Sequence, residues 1–331
     1  MTAPDHNDAS VELAPETPGA APAEDDEGAR LLAELAATPG ASTVTPDAAP
    51  TSETGAAEAD SEHFTPLAAI THALSLHGRT LEESRLPEIL LATFHTSIYR
   101  DLAQETGAEQ APQTPPSVMA VAQGKIGDTP VAVRKLGVGA PAAIATLEEL
   151  IALGVRDILV VGTGGSLQET LPIGSVILPT GAIREEGVSF HYVPAGVELG
   201  PDPTLAQALA EEVVALGGVG AFGPVWTTDA PYREMRSKVQ AYGAMGVLAV
   251  EMEASALFAL ARFRDVRLAL ILTVSDELFH EWRPGFHTAE LRAGQKLITR
   301  AALRVATRLG KRAAAQSTTP APEPAEPPAE G

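Results

Sequence analysis

The sequence predicts a mixed α/β fold built around a largely parallel sheet. Two observations point there. Short aliphatic runs, such as 86–93, 157–161 and 266–274, alternate with segments whose apolar residues recur at helical spacing. The run 266–274 is aliphatic almost throughout, as expected of a strand covered on both faces.

Taken in order, the folded part begins near His63 with a short helix over 67–76. A first strand over 86–93 leads to a helix over 97–106. Residues 118–136 read as two strands around Gly127-Asp128, a good hairpin turn. A helix over 141–153 is closed by Gly154. The strand over 157–161 runs into a predicted glycine turn, Gly162-Thr163-Gly164-Gly165. There follow a strand over 174–179, a helix over 204–216, a strand over 219–227 and a helix over 232–242. The stretch 247–278 then reads as strand, helix, strand. A long helix over 288–309 closes the domain.

The chain has 331 residues and a net charge of −20, unevenly placed. Residues 1–62 hold 14 acidic side chains against the single Arg30, and 313–331 hold three Glu and no base. Rich in Ala, Pro, Glu and Thr, both segments lack the apolar content to offset the entropy of ordering, and they read as disordered tails. The folded domain is expected over 63–312. Nothing resembles a basic nucleic-acid footprint. No apolar run approaches membrane-spanning length. The N-terminus lacks a basic region followed by an apolar one, so a cytoplasmic protein is expected. The absence of cysteine excludes disulfides and thiolate metal sites.

Chemistry concentrates at the ends of the apolar runs. Glu251-Met252-Glu253 follows one strand and Ser275-Asp276-Glu277 follows another. Strand carboxyl ends are where α/β sheets bind ligands. Carboxylates there can accept sugar hydroxyls or hold a proton for a leaving group. Acidic residues also favour the first turn of a helix, and a capping role for Glu251, Glu253 or Asp276 stands beside the chemical one. The glycine run at Gly162–Gly165 allows backbone N–H groups to meet an anion.

Three pieces, in this order, carry a resemblance: VVGTGGS with the following REEGVSFHY, then VWTTDAPYREM, then AVEMEA with TVSDE some twenty residues on. Together they resemble the nucleoside phosphorylase superfamily, which holds purine nucleoside and uridine phosphorylases and their water-using nucleosidase relatives. The resemblance implies a three-layer phosphorylase/hydrolase-like sandwich. It implies cleavage of a nucleoside N-glycosidic bond by phosphate, giving free base and ribose 1-phosphate. It places Glu253 and Met252 on the ribose and Asp276 as proton donor to the base. Gly162, Thr163 and Gly164 would meet the nucleophile, and Phe190, Tyr232 and Arg233 the base. Phosphate is a co-substrate; no other cofactor and no metal are expected. Glu281 with His280 and His287 has no counterpart in the resemblance as a metal site and reads instead as part of a cover. A homo-oligomer is implied.

Two departures leave the nucleophile open. The Pro-Gly-Asp-Pro-x-Arg run that holds phosphate in relatives is replaced by 91–97, LATFHTS, and Val160 stands where they carry an arginine. Arg100, Arg184, His95 or a neighbouring subunit are the candidates to substitute. Hydrolysis by water is the alternative, and a non-catalytic nucleoside sensor a third reading. The motifs leave uridine against purine open as well.

Overall fold

The computed structural model of the protein describes residues 62–110 and 121–317. The two tails expected from composition lie outside these residues, except at their inner ends. Glu62, counted with the N-terminal tail, pairs with Arg264 at 2.8 Å. The last helix runs on to Ser317, five residues into the expected C-terminal tail.

The elements follow the expected alternation. They are α1 (Pro66–Ser75), β1 (Ile89–Thr93), α2 (Thr96–Thr106), β2 (Glu109–Gln110), β3 (Val121–Ile126), β4 (Thr129–Lys135) and α3 (Ala140–Ala152). Then come β5 (Asp157–Ser166), β6 (Val176–Glu185), α4 (Ser189–Tyr192), α5 (Pro203–Ala215), β7 (Gly220–Thr228) and α6 (Arg236–Ala244). The last are β8 (Ala249–Glu251), α7 (Ala254–Phe263), β9 (Arg267–Glu277), β10 (Arg283–Pro284) and α8 (Ala289–Ser317). Gly127 turns the β3–β4 hairpin with φ +59, as the sequence predicts.

The sheet is mixed, in the order β10-β9-β6-β7-β8-β5-β1-β4-β3-β2, and β9 also pairs with β5. That extra pairing closes β5, β9, β6, β7 and β8 into a ring. Strands β4, β1, β5 and β9 run parallel side by side. Side chains alternate between two cores, which explains the unbroken aliphatic runs. Leu90, Ile158, Val160, Leu268 and Leu270 face α1, α3 and α7. Leu91, Leu159, Val161, Ala269 and Ile271 face α2, α5 and α8. The result is the three-layer sandwich that the sequence predicts.

Three elements depart from expectation. The glycine segment is not a turn: β5 runs unbroken through Gly162–Gly165 to Ser166. A Cβ on Gly164 would stand 2.9 Å from the Val250 carbonyl, and one on Gly165 3.3 Å from the Asp276 carboxylate. These glycines let β8 and β9 close in on β5. The helix expected over 232–242 begins only at Arg236, after a 3₁₀ turn at Pro231–Arg233. The strand expected over 266–274 continues to Glu277, so Asp276 lies inside β9.

Candidate active site

A cavity of about 650 Å³ opens at the carboxyl ends of β1, β5, β8 and β9. Its floor is Thr163, Gly164 and Gly165. Its walls include His95, Met252, Glu253, Glu234 and Asp276, and Tyr232, Trp282 and Phe286 stand toward its mouth.

Glu251 and Glu253 divide the two roles that the sequence leaves open. Glu251 is buried and turned inward. It accepts hydrogen bonds from Thr227 Oγ1 (2.5 Å) and from the backbone N–H groups of Glu253 and Ala254 (both 2.7 Å). It thereby satisfies N–H groups at the start of α7, the capping role. Glu253 occupies the N-cap position of α7 but makes no such cap. Its carboxylate instead accepts the backbone N–H of Gly139 at 2.5 Å. Burial raises both carboxyls above their ordinary range, and the Glu251 charge adds to the rise on Glu253.

Asp276 is re-aimed by an irregularity in the β5–β9 register. Gly164 pairs with Val274 but Gly165 pairs with Asp276, so one residue of β9 is extra. Such a bulge turns the side chains that follow it. The Asp276 carboxylate accepts Ser275 Oγ–H at Oδ1 (2.7 Å) and the Trp282 indole N–H at Oδ2 (2.9 Å).

Past the end of β1, His95 Nε2 lies 2.9 Å from Thr163 Oγ1. Burial, then the charge of Lys135, pushes its imidazole pKa down, so it is neutral near pH 7. Strand register brings Lys135 beside Thr93 at the end of β1. Arg184 is fully engaged elsewhere, donating to Ser189 Oγ and to the carbonyls of Val193 and Pro194.

Of the residues that the sequence singles out, Met252, Glu253, Asp276, Thr163, Gly164 and Tyr232 line the cavity. Gly162 lies below it, packed against Leu272 and Phe94. Phe190 sits under the Arg184 guanidinium at 4.1 Å, off the cavity, and Arg233 points to solvent. Tyr232 is 99% exposed, so none of the described residues holds its ring. Glu234 is the residue that sequence reasoning missed. Burial first, and the Asp276 charge second, push its carboxyl up to about 7. Its only sequence signal is its place beside Tyr232 and Arg233. Among the described residues, no group of three or more His, Cys, Asp and Glu is placed to hold a metal ion. No helix among them is long and apolar enough to cross a membrane.

The family model described as Phosphorylase superfamily matches residues 97–311. Uridine phosphorylase of Treponema pallidum is 38% identical over 162 residues, covering 46% of this chain and 63% of that protein. Guanosine phosphorylase of Halorubrum lacusprofundi is 36% identical over 153 residues, covering 45% of this chain and 62% of that protein. The matched part is thus less than two thirds of either relative. The crystal structure of purine nucleoside phosphorylase from Toxoplasma gondii with immucillin-H superposes with a TM-score of 0.64 at 22% identity, over 70% of this chain and 94% of that one.

Proposed function

The chain belongs to the phosphorylase superfamily, and from that premise we propose that it is a nucleoside phosphorylase, cleaving the N-glycosidic bond of a nucleoside with phosphate to release free base and ribose 1-phosphate. The observation that carries the reading is one cavity with Glu253 at the end of β8 and Asp276 at the end of β9. A glycoside breaks through an oxocarbenium-like sugar. Glu253, preorganised by Gly139, accepts ribose hydroxyls, and its ionised form, populated as pH rises through its raised range, opposes that positive charge. Met252 packs on the sugar. Asp276 and Glu234 face the base, and the exposed Tyr232 ring offers a surface to stack on it. His95 and Thr163 face the phosphate in place of the arginines of the family, and the exposed Lys135, outside the lining residues, is the cation that would swing in to it when phosphate binds. The base is uridine-like or a purine; relatives of both kinds match at similar identity.

Hydrolysis is the second reading, favoured by one observation: no arginine or lysine is among the residues that line the cavity. Without such a partner, phosphate loses its strongest charge-assisted bonds. The test is to incubate purified protein with uridine, guanosine, inosine and adenosine, with and without phosphate, and to assay free base. Release only with phosphate supports phosphorolysis. Equal release without it supports hydrolysis, and binding with no release supports a sensor. The same site completed by a second copy and a cytoplasmic location belong to this reading as well.

A further inference from the structure

We propose that Glu234, rather than Asp276, is the group that delivers a proton to the departing base, with Asp276 as the acceptor that holds the base edge. The inference rests on the glycosidic cleavage proposed above and names the donor within it.

The two carboxyl groups lie in the same cavity but in opposite states of hydrogen bonding. Asp276 accepts a donor at each oxygen, Ser275 Oγ–H and Trp282 Nε1–H. Donors directed at both oxygens occupy places where a transferable proton would sit. Glu234 is half-buried against the cavity, and among the described residues no hydrogen bond reaches its carboxyl. It follows the 3₁₀ turn, which is pinned by Arg233 N–H to the Ala230 carbonyl (2.8 Å) and by Met235 N–H to the Arg233 carbonyl (2.9 Å). Its position is therefore set by backbone, and its carboxyl is left free to face a ligand.

A desolvated carboxyl beside a fixed carboxylate keeps its proton, because two like charges at close range resist ionising together. The rise of Glu234 to about 7, caused by burial and then by Asp276, agrees with this. The other titratable groups of the cavity have different tasks. Glu251 is bound inward, Glu253 is tied to Gly139, His95 stands at Thr163, and Tyr232 is exposed at the mouth.

The step balances as follows. The glycosidic C1′–N bond breaks and its electron pair stays with the base. A phosphate oxygen forms the new bond to C1′. The Glu234 O–H passes its proton to a ring nitrogen or carbonyl oxygen of the base, which leaves neutral. Glu234 remains as a carboxylate, and water reprotonates it before the next turnover. Asp276 accepts a ring N–H or amino group and holds the base edge.

The experiment compares wild type, Glu234→Gln and Asp276→Asn on the best natural nucleoside and on 4-nitrophenyl riboside, whose leaving group departs without a proton. Glu234→Gln should slow the natural nucleoside by roughly 10²–10⁴-fold and the nitrophenyl riboside by no more than a few-fold. Wild-type turnover of the natural nucleoside should fall as pH rises through about 7, where Glu234 ionises. Asp276→Asn should move that limb to lower pH, since loss of the neighbouring charge lets Glu234 ionise sooner. The carboxyl infrared absorbance of the free wild-type protein near neutral pH should lose one component in Glu234→Gln, while the components of the raised Glu251 and Glu253 carboxyls remain, a readout that needs no turnover. Equal loss on both substrates, near wild-type rates in Glu234→Gln, or an infrared band lost only in Asp276→Asn would overturn the assignment. Failure of the wild type to release any base, with the band behaving as expected, would instead remove the glycosidic reading and leave Glu234 as the protonated carboxyl.

Discussion

The Glu253 carboxylate accepts a hydrogen bond from the backbone N–H of Gly139, 114 residues earlier in the chain, at 2.5 Å. That contact ties the turn after β8 to the turn after β4 and fixes the direction in which Glu253 faces. Gly139 makes it from φ 93 and ψ 145, a region essentially reserved for glycine. Gly139→Ala should therefore lower unfolding free energy by about 1–3 kcal/mol and turnover with it, although nothing crowds the new Cβ. Denaturant titration and steady-state kinetics measure the two effects. Unchanged stability would show that the backbone there is not strained for alanine.

Glu253→Gln keeps the shape of the side chain and removes the ionisable form that opposes the oxocarbenium. The loss should appear in kcat far more than in nucleoside binding, with a barrier increase on the order of 2–4 kcal/mol. Turnover at the wild-type level would take Glu253 out of the reaction.

The nucleophile end makes a separate prediction. Lys135 is near enough to His95 to depress its pKa, and His95 touches Thr163. Lys135→Ala should raise KM for phosphate roughly ten- to hundredfold, the worth of one charge-assisted hydrogen bond, with KM for the nucleoside little changed. An unchanged phosphate KM would mean that phosphate, if used at all, is held elsewhere.

The paired carboxyls of Glu251 and Glu253 also predict how stability depends on pH. Both are raised in the folded protein, chiefly by burial, so the folded state holds protons that the unfolded state releases. Stability is then fully present below the ordinary carboxylate range near 4.5 and is lost as pH rises through the raised values. The thermal midpoint of the free protein should fall between pH 5 and pH 8, and Glu251→Gln should flatten that fall. An identical slope in the variant would assign the dependence to other groups.

Composition sets a last expectation. A chain trimmed to 62–317 keeps the Glu62–Arg264 ion pair and the whole of α8. It should retain one cooperative thermal transition and its activity; loss of the transition would show that the acidic segments contribute to the fold.

Much of this molecule was legible in its sequence, because the signals are local. Unbroken aliphatic runs between helical stretches marked the sheet and its covering helices, Gly127 marked the hairpin, and the acidic residues at strand ends, Glu253 and Asp276, marked the cavity. What only tertiary structure decided was direction and proximity. The sequence could not say that Glu251 turns inward to α7 while Glu253, two residues on, reaches Gly139. It could not show that a bulge aims Asp276, or that β9 also pairs with β5 and so holds the glycines of β5 in a strand rather than a turn. Nor could it bring Glu234, 42 residues before Asp276, beside that carboxylate. Local sequence governs backbone preference and which face is apolar; the charge state of a carboxyl depends on what the folded chain places around it, and those neighbours come from distant segments.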